Sequence, residues 1–235
     1  ILGRLVGSEM CIRDSRERVP TEEYQRGERI RCYVKSVPGG GNGSEIILSR
    51  KDPEFVLKLF KLEVSEINDG TIEVKGIARE PGFRTKLAVH SRDEKVDPVG
   101  ACVGLRGQRV KNIVRELNNE KIDIIPWDDN IESYVSNALS PAEIRRMEVH
   151  SDRKRIHIFV DPDQLSLAIG RRGQNARLTS LLTGWQIDID SEEEVKVGFE
   201  EQVAKAVEAL AAIPGIANGL ADAMVPAGRL PVDAW

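Results

Sequence analysis

The sequence predicts an α+β protein whose middle is one supersecondary unit, α-β-β-α-α-β, used twice in succession. Three observations carry that expectation. Two Gly-x-x-Gly turns, Gly104-Leu105-Arg106-Gly107 and Gly170-Arg171-Arg172-Gly173, lie 66 positions apart (104 to 170). Each follows a short segment opened by Asp-Pro (Asp97-Pro98 and Asp161-Pro162) and precedes a longer amphipathic one. Each unit then closes on an alternating strand, Lys121-Ile122-Asp123-Ile124 and Gln186-Ile187-Asp188-Ile189. A fixed period with matching surroundings marks an internal repeat, not a chance recurrence of two glycines.

Residues 1–15 are set aside. The run Ser8-Glu9-Met10-Cys11-Ile12-Arg13-Asp14-Ser15 resembles the translation of a sequencing-library adapter, so the polypeptide proper is expected to enter near Arg16, in the middle of a domain. Residues 16–51 read as the end of a β-domain. Residues 28–35 largely alternate polar and apolar, residues 38–44 break the strand with glycines, and Ile46-Ile47-Leu48 resumes it. The first copy spans residues 52–128. A helix is expected over residues 53–67, opened by Asp52 as N-cap and Pro53, with Phe55, Leu59, Leu62 and Ile67 on its apolar face. Strands follow at 71–78 and 85–90, then helices at 98–103 and 108–117 around the first glycine pair, and a strand at 121–125. In the helix over 108–117, Val110, Ile113, Val114 and Leu117 share one face.

The second copy, residues 129–191, repeats that order. Helices are expected at 131–139, 162–169 and 174–182, and strands at 146–150, 155–160 and 185–190. The join, Asp128-Asp129-Asn130, is too short for a flexible linker, so the two copies are expected to pack in a fixed relation. Residues 192–235 form an acidic tail. It holds an Ala-rich helix at 201–212, a turn at Ile213-Pro214-Gly215-Ile216 and a second helix at 218–225, which together resemble a helix-hairpin-helix. Ala217 stands where the second hairpin glycine belongs and basic residues are scarce there, so the tail favours protein contact over DNA.

Composition removes several function classes. The 235 residues carry 34 Lys+Arg against 38 Asp+Glu, a net charge of −4, so the whole-chain balance does not itself point to nucleic acid. The asymmetry does: residues 79–177 hold most of the arginines, and residues 188–208 are mainly acidic. The three cysteines have no metal-ligand spacing and suit a reduced, cytoplasmic compartment. His90, His150 and His157 sit in strand-like runs and read as packing or surface residues. No segment is long and apolar enough to span a membrane. No Gly-Lys-Ser/Thr follows either glycine pair, which excludes a nucleotide-binding P-loop. No catalytic triad or metal set stands out, so no catalytic residue, metal or cofactor is expected. Trp127 and Trp185 read as core packing, and Asp123 and Asp188 as a solvated strand face.

The paired glycine turns carry the chemistry. Two glycines permit a tight turn and close approach to a sugar-phosphate chain. The helix that follows offers free N–H groups and the positive end of its dipole to phosphate. Arg106, Arg171 and Arg172 add charge at the loop tips, Arg109, Lys111 and Arg177 extend the basic track, and Gln108, Gln174 and Asn175 can hydrogen-bond bases or phosphates. Tight helix packing alone would also use the glycines, but it would not need arginines at the tip. Such a loop clamps about four nucleotides of single-stranded RNA in KH modules.

Longer motifs point to a family. Glu80-Pro81-Gly82 with Arg84-Thr85-Lys86, Val96-Asp97-Pro98-Val99-Gly100-Ala101-Cys102-Val103-Gly104, Asn137-Ala138-Leu139-Ser140-Pro141-Ala142, and Leu167-Ala168-Ile169-Gly170 with Gly173-Gln174-Asn175 resemble the NusA family of bacterial transcription factors. The resemblance covers about residues 16–190. It implies tandem type II KH domains after a truncated S1/OB β-barrel, with a small helical tail that resembles C-terminal repeats of some members. It implies binding of nascent single-stranded RNA beside RNA polymerase and other transcription factors, in termination and antitermination; a monomer with no cofactor is expected. The polymerase-binding N-terminal domain of such proteins has no counterpart in these residues. S1 and KH modules also accompany a phosphorolytic ribonuclease, which would need a catalytic core upstream and one KH ahead of its S1. A ribosome-associated RNA-binding protein is the other alternative.

Overall fold

Asp52 and Pro53 start the first helix of the repeat as their chemistry dictates. In the computed structural model, which describes residues 2–5, 17–24, 29–37, 46–191 and 205, the Asp52 carboxylate accepts from the Glu54 N–H at 3.0 Å. Pro53 sits where no donor is required, at the start of α1 (Pro53–Glu63). The helix buries Phe55, Val56, Leu59 and Phe60, whereas Leu62 is 64% exposed. The apolar face is therefore rotated from the expected one. The single helix expected over residues 53–67 is also two. Val64 takes extended dihedrals (φ −119°, ψ 102°), which its β-branched side chain favours, and α2 (Ser65–Asn68) begins after it. Val64 and Ile67 both close over the same core.

Ahead of α1 lies a three-stranded antiparallel sheet in the order β1 (Leu2–Leu5), β2 (Ile30–Ser36), β3 (Ile47–Ser49). The sequence assigned no strand to residues 2–5, yet their backbone pairs with Ile30–Tyr33 along an edge that would otherwise be open. Among the described residues these strands do not close into a barrel. The sheet is tied to the first copy by Arg50, which is buried. Its guanidinium donates to both Glu22 carboxylate oxygens (2.6 and 2.8 Å) and to the Arg31 and Glu116 carbonyls (2.6 and 2.7 Å). The expected helices of residues 192–235, Lys205 excepted, and the whole of the glycine-rich 38–44 loop lie outside the described residues.

The first copy continues with β4 (Ile72–Glu80), β5 (Arg84–Ser91), α3 (Pro98–Val103), α4 (Gln108–Glu116) and β6 (Lys121–Pro126). The second is α5 (Ile131–Leu139), β7 (Ile144–His150), β8 (Arg155–Val160), α6 (Pro162–Ile169), α7 (Gln174–Thr183) and β9 (Gln186–Ser191). Each forms a three-stranded sheet with the middle strand antiparallel to the first and parallel to the last. The α-β-β-α-α-β order is as the repeat predicts. Leu87 and Val89 of β5 enter a core with Phe55, Leu59, Phe60, Ile113 and Leu117. Ile156, Ile158 and Val160 of β8 meet Val135, Leu139 and Ala168.

Alternation along β5 also determines how the copies stack. Leu87 and Val89 face the core of the first copy, so Lys86 and Ala88 point to the opposite face of the sheet. There the second copy covers them. Ala88 and Ile125 pack on Tyr134 and Ala138 of α5, and the buried Lys86 ammonium donates to the Ala138 carbonyl. Gly76 lets α7 approach β4, since a Cβ there would meet Leu182 Cδ1 at 3.3 Å and Tyr134 Oη at 3.5 Å.

Burial pushes the Lys86 ammonium down from 10.5 to about 8. The unfolded chain holds this proton up to about pH 10.5 and the folded protein releases it near pH 8, so between these values the unfolded state binds more protons. Stability therefore rises with pH across that window, by at most about 1.4 kcal/mol per unit. Denaturant unfolding at stepped pH is expected to show this rise in the parent protein relative to Lys86→Met. Parallel profiles for the two proteins would contradict it.

Candidate nucleic-acid interface

Both glycine pairs take the same sequence of backbone conformations. Gly104 (φ 74°, ψ 175°) ends α3, Arg106 follows with φ 53° and ψ 25°, and Gly107 (φ 74°, ψ 18°) precedes α4. In the second loop Gly170 has φ 73° and ψ 174°, Arg172 φ 54° and ψ 33°, and Gly173 φ 71° and ψ 15°. The two arginines are left-handed without being glycine, which costs on the order of 1–2 kcal/mol each. Their carbonyls are held in register by a cation five residues on. Lys111 Nζ reaches Arg106 O at 3.1 Å, and Arg177 Nη1 reaches Arg172 O at 3.5 Å.

The two glycines of each loop have different roles. The dihedrals of the first are essentially reserved for glycine. A Cβ on Gly104 would stand 2.7 Å from Arg109 Cγ, and one on Gly170 would stand 2.8 Å from Asn175 Cβ and 2.9 Å from its backbone N. The first glycine therefore permits the close crossing of the flanking helices. The second faces open space. A Cβ on Gly107 would find nothing nearer than Lys111 Cε at 3.7 Å, and one on Gly173 nothing within 4 Å. Neither α4 nor α7 has a side-chain N-cap; the Gln108 and Gln174 N–H groups donate instead to the Leu105 and Arg171 carbonyls of their own loops.

Around these openings the exposed side chains are Leu105, Arg106, Gln108 and Lys111 in the first copy and Arg171, Arg172 and Arg177 in the second. Leu105 is 86% exposed. Gln108 donates to Asn112 one helical turn on, at 3.0 Å. The loops thus differ in chemistry. One tip pairs a leucine with an arginine, and the other carries two arginines.

Two residues expected to face a ligand are held by partners within the fold, Asn175 fully buried and Arg109 partly so. Asn175 is 1% exposed, and its Nδ2 donates to the Leu139, Leu167 and Ala168 carbonyls, each at 3.2 Å. Arg109, at the same distance from its first glycine, donates to Ala101 O at 2.6 Å and to Glu66 at 3.1 Å. Both satisfy carbonyls at the end of the helix before the loop, where backbone acceptors lack partners. Their helix face turns inward, so position rather than residue type decides their role. Gln174 and Arg177 are engaged as well. Gln174 Nε2 donates to Glu80, and Arg177 Nη2 pairs with Glu80 Oε1 at 2.8 Å. The Gln174 amide and the Arg177 guanidinium hold the Glu80 carboxyl below the usual carboxylate range. Sequence offered no local signal for Glu80, because its partners lie 94 and 97 positions away.

The remaining candidates behave as surface or packing groups. Asp123 pairs with Arg84 at 2.6 Å, and Asp188 pairs with Arg155. Trp127 is half-buried, with its ring edge-on to His90 and the Lys75 ammonium 5.0 Å from its centroid. Trp185 packs against the second core. An open concavity on the second sheet is lined by His150, Arg153, Arg155, His157, Asp188 and Asp190, but Asp188 and Asp190 pair with Arg155 and His157 and no residue of either Gly-x-x-Gly loop lines it. Among the described residues no group of His, Cys, Asp and Glu could hold a metal ion, and no helix is long and apolar enough to cross a membrane.

Comparison with known proteins agrees with this geometry. Residues 50–127 match the family described as NusA-like first KH domain, and residues 131–197 match NusA-like second KH domain. Proteins named transcription termination/antitermination protein NusA are similar over most of the chain. That of Halalkalibacterium halodurans is 48% identical over 196 residues, 83% of this chain and 51% of that protein. That of Bacillus subtilis is 48% identical over 180 residues, 77% of this chain and 48% of the relative. That of Mycobacterium tuberculosis is 52% identical over 174 residues, 74% and 50% of the two. The chain spans about half the length of these relatives.

Proposed function

Because the chain belongs to the NusA family, and carries its two KH domains in tandem, we propose that it binds single-stranded RNA across both Gly-x-x-Gly loops. The observation that carries this reading is the open second glycine of each loop, set beside an uncapped helix start and exposed arginines. A phosphate can approach the backbone at Gly107 and Gly173, lie at the positive end of the helix that follows and meet Arg106, Lys111, Arg171, Arg172 and Arg177. Leu105 and Gln108 supply apolar and hydrogen-bonding contacts to bases. Gly104 and Gly170 shape the loops, and Arg109 and Asn175 brace them from behind.

In the whole protein this module acts on nascent RNA at RNA polymerase, in elongation, termination and antitermination. The relatives' names support that assignment, and they describe regulators of transcription rather than enzymes. The strands ahead of the first KH domain supply the end of an S1 barrel. The protein works as a cytoplasmic monomer.

Charge at the second loop is directly measurable. Each phosphate neutralised on a single strand contributes about 0.7 to the slope of log affinity against log salt. Arg171→Ala with Arg172→Ala is expected to lower that slope by about 1.4, read by fluorescence anisotropy with a single-stranded RNA between 50 and 200 mM salt. Leu105→Ala should leave the slope unchanged. An unchanged slope in the arginine double variant would remove the second loop from the site.

A further inference from the structure

Helix α7 lies along β4 in the opposite sense and is held at both ends. One contact joins Leu182 to Gly76, and the other joins Gln174 and Arg177 to Glu80. The distances agree. From Gly76 to Glu80 the strand advances about 13 Å, and from Gln174 to Leu182 the helix advances about 12 Å. At the Leu182 end the contact is van der Waals packing against a glycine. At the loop end Glu80 makes a polar contact.

Glu80 is well placed to hold this end still. Its neighbour Arg79 is 1% exposed at the side chain, pairs with Glu120 at 2.9 Å and donates to the Arg50, Lys51 and Asp52 carbonyls. The end of β4 is therefore anchored in the first KH domain. On the other side Gln174 directly follows Gly173, and Arg177 also holds the Arg172 carbonyl. The carboxylate thus reaches the second loop through two side chains. In the first loop the corresponding groups stay within their own domain, Gln108 on Asn112 and Lys111 on Arg106.

We propose that Glu80 is a positioning residue that fixes the second KH loop relative to the first, so that one RNA strand engages both at a set spacing. The proposal rests on the reading of the loops as RNA contacts. Two sites held rigidly at the right distance act on one strand with a high effective concentration, and a loosened pair loses that gain without losing either contact.

A double-mutant cycle on the full chain separates this role from a local one. The probe is a uridine homopolymer of about sixteen nucleotides, enough to pass both clamps at about four nucleotides each. Glu80→Ala is expected to weaken its binding roughly five- to tenfold in the parent protein and less than twofold in a Gly107→Asp background, where only the second loop is left. An equal loss in both backgrounds would place Glu80 inside the second site alone. Tighter binding would mean that the carboxylate masks Arg177. Either result overturns the proposal.

A second measurement does not depend on RNA. With spin labels at Leu105→Cys and Arg171→Cys in a Cys11→Ser background, the distance distribution between the loops is expected to be narrow and to broaden on Glu80→Ala. An unchanged distribution also overturns the proposal. If Gly107→Asp leaves RNA affinity intact in the parent, the loop reading fails instead, and the label distances alone decide the role of Glu80.

Discussion

Gly107→Asp combined with Gly173→Asp is expected to weaken single-stranded RNA binding by about 100-fold or more while the protein stays folded. Each substitution places a carboxylate where a phosphate approaches, and a like charge against a phosphate costs several kcal/mol. The fold tolerates both changes because neither new Cβ meets an atom closer than 3.7 Å. Aspartate is also one of the residues that visit the left-handed region, at a cost of about 1 kcal/mol. For a chain of this size that corresponds to roughly 2–4 °C in Tm per site. Gly170→Ala provides the contrast. Its Cβ would press on Asn175 at 2.8 and 2.9 Å from a backbone conformation closed to alanine, and it is expected to cost about 3 kcal/mol. Titration with a labelled RNA and thermal melts of the three proteins check both halves. Full affinity in the double aspartate variant would sink the proposed interface.

Glu120→Ala is expected to be the most destabilising single change in the first KH domain. Glu120 is fully buried and accepts both Arg79 guanidinium contacts at 2.9 Å, the Gly82 N–H at 2.7 Å and the Thr85 hydroxyl at 2.5 Å. The substitution removes four acceptor contacts and leaves the Arg79 charge buried without its counterion. Breaking a buried pair in this way costs about 3–5 kcal/mol. Urea unfolding should show a lower midpoint with an unchanged slope. Arg79→Ala should cost a similar amount, and the double variant less than the two together, since each single change orphans the same partner. A loss below about 1 kcal/mol would show that water relieves the site.

Much of this architecture is legible in the residues themselves. Asp52 and Asp97 cap the helices they precede, and the bounds of α3, α5, β8 and α6 are those the pattern predicts. Local chemistry decides such features: capping, proline placement and strict alternation act over a few residues. The break at Val64, the rotated face of α1 and the exposure of Leu62 were not legible, because several apolar registers fit that stretch and only packing into the core shared with α4, β4 and β5 selects one. The loops divide in the same way. Their glycines and tip arginines announce themselves by spacing, yet Arg109 and Asn175 carry the same polar chemistry as their exposed neighbours and are drawn inward by unpaired carbonyls of another helix.

By itself, then, the sequence determined the repeated unit, the order of its elements, the position of both loops and the family. Those depend on short-range periodicity and on residue types at fixed offsets. Tertiary structure alone decided which glycine of each pair is open, which polar side chains face solvent, and how one KH domain stacks on the next. Lys86 under Ala138 and Glu80 against Gln174 and Arg177 join residues far apart in the chain. No local pattern encodes such pairs, because they form only when two separately folded surfaces meet.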